Sequence, residues 1–288
     1  MSFSNIREIV RAVELGQMHL AFFHKTSVPT PGANRWADCS MGAGTPIYNA
    51  YVGGQYESTP MIGQKNQGIY TGPTPPAGMQ KHLAQVAMAS PTTGGTGAPY
   101  TALIADYLMF YPLIDGDSTD QQDMNNITQL PRYADGVGVQ LMLVVTTPMT
   151  ASGTVLINVT TADDVDVTLT VATSVSGTVG VVTNTAAQGQ AISSTPFVHL
   201  EGARGIKRVN WITNQGSLGG FYAIVLVKPL TTMMIREPLT MTEHSLIHQK
   251  ASLPLVYDGA YINFMLQAST AGTGNPGVMR GEFDFIWG

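Results

Sequence analysis

Hydrophobic positions change their rhythm twice along this chain. Ile6, Ile9, Val10 and Val13 recur at the spacing of one helix face, Asn5 and Glu8 are placed to form a capping box, and Gly16 supplies a stop. So narrow a stripe on so short a helix needs a surface to dock on, in its own body or in a neighbour. From about residue 26 to 99 the rhythm fades into stretches rich in Gly, Pro, Ser and Thr, such as "SVPTPGANRW" and "ASPTTGGTGAP". Short strands at 35–38 and 47–52 and one helical segment at 80–88 are the only elements the pattern predicts there. Tyr48, Tyr51, Tyr56, Met61, Ile69 and Tyr70 make this region too apolar for a plain disordered linker. An extended arm lying across other surfaces reconciles the two observations.

Beyond residue 99 the period becomes that of strands. Residues 139–147, "VQLMLVVTT", form a continuous apolar run of the kind buried on both faces. Val155, Ile157 and Val159 alternate, as do Val165, Val167, Leu169 and Val171, and "TTADD" between them completes a hairpin over 154–171. Further strands are predicted at 100–114, 177–183, 197–200, 206–213, 221–228, 260–267 and 281–287. Many short strands separated by turns indicate an all-β, jelly-roll-like β-sandwich over 100–288. Before it, residues 1–99 would form an extended, mostly irregular N-terminal arm containing one short helix. On this reading, deleting residues 1–30 leaves the sandwich folded.

Composition alters the picture in one respect. Charged residues are 11% of the 288, against roughly 25% in an ordinary soluble domain, while hydrophobic residues stand at 44%. A surface with so few charges suits a subunit covered by other subunits. The net charge of −5 argues against direct nucleic-acid binding, and the densest basic spot is only Arg204, Lys207 and Arg208. The single cysteine, Cys39, reads as a small buried side chain. Charges within residues 1–25 speak against a signal peptide, and no apolar run reaches the ~20 residues of a membrane span. The expected place of synthesis is a cytoplasm.

Candidate chemistry is sparse. In "YPLIDGDSTDQQDMNN", Asp115, Asp117, Asp120 and Asp123 crowd together, but Asp120 and Asn126 stand where a calcium loop needs Gly and Glu. A structured turn is the favoured reading, and a cation site of another kind stays open beside it. His244 and His248 have the spacing of a zinc pair on a helix, yet Ser245 replaces the glutamate of that motif. His19 and His24 are read as packing residues. Met109, Met142 and Met265 read as core, and Met233 and Met234 as padding for an adaptable interface. No catalytic, metal or cofactor residue is assigned.

Several phrases carry a likeness: "DYLMFYPLIDGDSTDQQDMNN", "LPRYADGVGVQLMLVVTTP", "GARGIKRVNWITNQGSLGGFYAIVLVKPL" and "RGEFDFIWG". With them the whole chain resembles a group of structural proteins from tailed-bacteriophage virions. The resemblance implies membership of the virion more than a position within it, and the leading expectation is a non-enzymatic capsid decoration (cement) protein made in the bacterial host cytoplasm and placed on the capsid exterior. Its partners would be copies of itself around a three-fold axis and the major capsid protein, with no cofactor and no membrane. The interface would draw on Ile6, Ile9, Val10, Val13, Tyr48, Tyr51, Tyr56 and Tyr70. Rival readings are a tail or baseplate protein, a major capsid protein (which needs a long spine helix), and a polysaccharide-degrading enzyme using Asp115 and Asp117 beside Tyr107 and Tyr111.

Overall fold

The computed structural model describes residues 3, 5–29, 35–64, 67–91, 99–183, 195–237, 239–249, 252–268 and 277–288. Parts of the irregular stretches noted above, at 30–34, 65–66 and 92–98, lie outside the described residues. The chain opens with helix α1 (Ile6–Glu14), then β1 (Met18–Lys25), β2 (Trp36–Asp38), β3 (Gly44–Thr45), β4 (Thr59–Pro60) and β5 (Lys81–Ala89). Next come β6 (Tyr100–Asp115), β7 (Gln122–Asp123), β8 (Gln140–Thr147), β9 (Gly153–Thr161), β10 (Asp166–Thr173), β11 (Ile206–Asn214) and β12 (Phe221–Ile235). The last part holds β13 (Thr242–Ser245), a single helical turn α2 (Leu246–Gln249), β14 (Leu255–Val256), β15 (Tyr261–Ala268) and β16 (Met279–Trp287). The protein is all-β, and its strand ladders are antiparallel.

A central sheet, ordered β2-β15-β6-β12-β8 with β4 added to β6, is built on the two longest strands. Both are interrupted where proline cannot donate to a ladder. The β6–β12 register shifts between Tyr222 and Ile224, opposite the segment holding Pro112 and Leu113, and shifts again between Pro229 and Thr231. Leu113 takes a left-handed φ of 58° there, so the bulge turns the strand. Such bulges let strands of this length curl across two neighbouring sheets.

One face of the central sheet packs on a four-stranded sheet, β10-β9-β11-β7, through Leu141, Leu143, Ile157, Val159, Ile212 and Ile224. A second core joins it to an outer sheet, β13-β5-β16-β1-β3, through Phe23, Leu83, Ile104, Phe264, Phe283 and Phe285. Its remaining face is closed by Trp36, Met41, Tyr51 and Met61, which come from the region expected to be an arm.

The segment 1–99 is therefore not an arm lying apart from the sandwich. β1 pairs with β16 over Met18–Lys25, β5 pairs with β16 over Lys81–Ala89, and β2 and β4 extend the central sheet. Removing residues 1–30 would strip β1 from β16 and uncover Phe23 and its aromatic neighbours Phe264 and Phe283, so that truncation cannot leave the fold intact. The helix expected at 80–88 is strand β5. "KHLAQVAMA" is rich in helix formers, but all of it except Gln85 is buried between two strand neighbours, and tertiary pairing overrides propensity. The expected strands at 177–183 and 197–200 reduce to the isolated bridges Ala37↔Val181 and Val144↔Val182 and to irregular chain.

Candidate functional site: an uncovered apolar and acidic face

Helix α1 forms where its caps place it. Asn5 Oδ1 accepts from the backbone N–H groups of Arg7 (3.0 Å) and Glu8 (3.2 Å), and Gly16 leaves the helix at a φ of 71°. Nine residues are too few to hold a helix in water unaided. Its C-terminal end is tied to the body instead, Gln17 N donating to Ala12 O at 2.8 Å and Trp287 N to Gln17 O at 3.1 Å. Only Ala12 is buried. Ile6, Val10 and Val13 remain 54%, 52% and 46% exposed on their common face, with Ile9 half-buried. Arg7 and Arg11 stand exposed on the same helix.

The neighbouring outer sheet adds a second uncovered surface. Along β1, Ala21, Phe23 and Lys25 point inward while Leu20, Phe22 and His24 point out, and Phe22 is 67% exposed. Register sets Leu20 opposite Asp284 and Phe22 opposite Glu282; across β5, Ala87 lies opposite both Glu282 and Glu243. The outer face thus carries apolar side chains beside Asp284, Glu282 and Glu243, and the row continues with Arg280 opposite His24.

Burial pushes the Asp284 carboxyl above its ordinary range, and the like charges of Glu282 and Glu243 push the same way. A carboxyl raised in the folded state weakens folding as pH climbs through and above the ordinary carboxyl range, because the native state must then lose a proton it holds more tightly than the unfolded chain does. Asp284→Asn is therefore expected to raise Tm at pH 7, with the gain shrinking as pH falls towards 4. Thermal melts of both proteins across that range check it.

The other expected interface residues divide. Tyr48 and Tyr70 are exposed, Tyr70 packing edge-on to His19 at 5.2 Å. Tyr56 is half-buried against the four-stranded-sheet core. Tyr51 is 2% exposed and cannot meet a partner: its hydroxyl donates to Asp38, which also accepts from Tyr107 (2.8 Å), Ser40 Oγ (2.7 Å) and Ser40 N (2.9 Å). Tyrosine inside an irregular run looked like arm surface because nothing nearby announced this buried acceptor.

The aspartate stretch is a clamped turn. Asp115 Oδ1 accepts from Asp117 N at 2.9 Å, Gln122 closes on both backbone groups of Asp115, and Asn214 Nδ2 donates to the carbonyls of Asp115 and Ser118 at 2.8 Å each. Tyr107 and Tyr111 do not join it as sugar platforms. Both are fully buried, and Tyr111 donates its hydroxyl to Asn126 at 2.7 Å. His244 lies in β13 and His248 in α2, so the two do not share a helix face. Among the described residues no three His, Cys, Asp or Glu side chains gather as a metal site. Cys39 is buried, Met109, Met142, Met233 and Met265 lie in the core, and Met234 is exposed.

Sequence reasoning missed two buried carboxylates, Asp38 and Asp106. Asp106 is held by Arg132, Nε to Oδ2 and Nη2 to Oδ1, both at 2.8 Å. The signal was present, since an aspartate inside "LIADYLMF" must find a partner when its strand is buried. No protein-family model, curated protein or solved structure matches the chain.

Proposed function

We propose that this protein is a non-enzymatic structural component of a tailed-phage particle, a decoration protein that associates with copies of itself and with the capsid shell. The observation that carries the reading is the uncovered pair of surfaces on α1 and on the outer face of β1, β16 and β5. Fully burying a Val, Leu, Ile or Phe contributes about 1.5–3 kcal/mol, and Ile6, Val10, Val13, Leu20 and Phe22, 40–67% exposed, have about half of that left to gain each. Both surfaces also carry charges that can pair: Arg7 and Arg11 stand on α1 together with Glu8 and Glu14, and the outer face offers Glu243, Glu282 and Asp284 together with Arg280. Helix α1 of one copy seated on the outer face of the next gives a head-to-tail contact, which closes into a ring when the rotation allows. The expected three-fold oligomer is one such ring, and repeated weak contacts on a shell then add up. Jelly-roll-like connectivity, virion location and contact with the major capsid protein belong to this proposal, supported by the low charge content and by the resemblance of the sequence phrases.

Two measurements test it. Labelling of intact particles with an antibody to this protein must decorate heads; tails alone would move the reading to a tail component. In sedimentation equilibrium, Val10→Lys is expected to weaken self-association by tenfold or more, roughly the contribution of one buried valine. Arg11→Glu should weaken it too, and Glu282→Lys should restore part of the loss. A wild-type chain that stays monomeric at every concentration overturns the self-association.

A further inference from the structure

A cleft of about 700 Å³ opens where the loop after Pro131 meets β12 and the turn following β14. Its wall is aromatic. The rings of Tyr133 and Tyr257 stand at 88° to each other with centroids 4.8 Å apart. Tyr133 is fixed on every side: its backbone is left-handed (φ 53°), its hydroxyl donates to Leu255 O at 3.1 Å, and Lys228 Nζ sits 5.3 Å from its ring centre while donating to Val137 O at 2.8 Å. A bulky side chain in the left-handed region is strained, and here the hydroxyl bond to Leu255 and the Lys228 contact hold the ring in place. Behind it, Arg132 forms a rigid floor through its bonds to Asp106. Tyr257 remains 41% exposed, so one aromatic ring is fixed and the other is accessible.

The charges decide the class of ligand. Arg132 is already neutralised by Asp106; at the cleft Lys228 is offset by Asp135 and Lys81 by Asp258, and both of these carboxylates are exposed at the rim. Asp258 lies 3.5 Å from Lys81, and Asp135 Oδ1 accepts from Val137 N at 3.2 Å, which orients each without covering it. A phosphate or sulfated ligand would meet the two carboxylates, and a polycation would meet Lys228. An uncharged ligand with an apolar face and many hydroxyls meets neither obstacle. Its C–H face stacks on an aromatic ring, and its hydroxyls both donate to carboxylates and accept from an ammonium group. We propose that this cleft binds a neutral oligosaccharide, with Tyr257 as the stacking ring and Asp135, Asp258 and Lys228 as hydroxyl partners. None of the lining residues belongs to α1 or β1, so the site is independent of the self-association surface.

Isothermal titration with maltohexaose, cellohexaose, chitohexaose, a heparin hexasaccharide and hexalysine tests the proposal on the full chain. At least one of the three neutral sugars is expected to bind, and the two charged probes are not. Tyr257→Ala is expected to weaken the neutral sugar about tenfold, and Tyr257→Phe to stay within about threefold, because the phenylalanine keeps the ring. Asp135→Asn should weaken it less than Tyr257→Ala. Circular dichroism melts confirm that these exposed-site variants fold. Binding confined to heparin or hexalysine, no heat with any neutral sugar at millimolar concentration, or unchanged affinity in Tyr257→Ala overturns the assignment.

Discussion

Arg132→Leu is expected to destabilise the fold by about 3–5 kcal/mol, the cost of leaving a buried charge without its partner. On a chain of this size that corresponds to a fall in Tm on the order of 10 °C. The side chains of Arg132 and Asp106 are 5% and 1% exposed, so water cannot replace the lost bonds. Arg132 Nη2 also donates to Met61 O at 3.0 Å and Tyr107 O at 2.9 Å, and Asp106 Oδ1 accepts from Tyr261 N at 2.9 Å. One guanidinium thus ties the loop before the cleft to β6 and to the Met61 segment. Burial already pushes the Asp106 carboxyl upward, and Arg132 pulls it back. Without Arg132 the native state holds a proton that the unfolded chain releases, so the variant loses stability as pH rises above the ordinary carboxyl range. Its deficit should be smaller at pH 5 than at pH 8. Adding Asp106→Asn removes the stranded charge while keeping an acceptor for Tyr261 N, and should recover about half the loss, read in urea denaturation. A deficit that is pH-independent, or a double variant no better than the single, refutes the account.

What the sequence made legible follows from how each element is buried. Strands β8, β9, β10, β15 and β16 have an apolar alternation or a continuous apolar run, and the chain shows it, while in β11 two register shifts set the buried Ile206, Val209 and Ile212 three apart. β1 escaped because it is apolar on both faces: Ala21 and Phe23 face the core while Leu20 and Phe22 face outward, so no period of two survives. That double character is also what makes β1 part of the candidate surface. β5 escaped because its Ala, Gln and Lys favour helix in isolation, and only its position between β13 and β16 fixes it as strand. The stripe on α1 was legible in full, down to its Asn5 cap, and its solvent exposure bears directly on the interface reading. The cleft was not legible. Tyr133 and Tyr257 lie far apart in sequence, and only their meeting makes a site.

Asp38 supplies the second large effect, and its two conservative replacements should part company. Each carboxylate oxygen accepts two bonds: Oδ1 from Ser40 N and Tyr107, Oδ2 from Ser40 Oγ and Tyr51. Asp38→Ala strands these donors in a site with no exposed surface, at about 1–3 kcal/mol for each that finds no substitute, so a loss on the order of 4 kcal/mol is expected. Asp38→Asn preserves shape. Its amide oxygen keeps the Ser40 N and Tyr107 bonds, and its NH₂ can donate to the Ser40 and Tyr51 hydroxyl oxygens once those rotors turn. Burial holds the Asp38 carboxyl above its ordinary range, so the amide also removes the cost of keeping a charge there. Lys25 is the counterweight. Among the described residues its Nζ is bonded to neutral carbonyls, Gly42 O at 3.0 Å and Pro46 O at 2.8 Å, and burial lowers it to about 8 against the pull of nearby Cys39 and Asp38. Taking away the Asp38 charge lowers Lys25 further. A lysine lowered in the folded state gains stability as pH rises from its folded value towards its ordinary one, so Asp38→Asn should regain ground on the wild type between pH 7 and 9. Chemical denaturation of the two variants at both pH values decides it: an asparagine as damaging as alanine would mean that the negative charge, not the array of acceptors, holds β2 and the Tyr51 segment against β6.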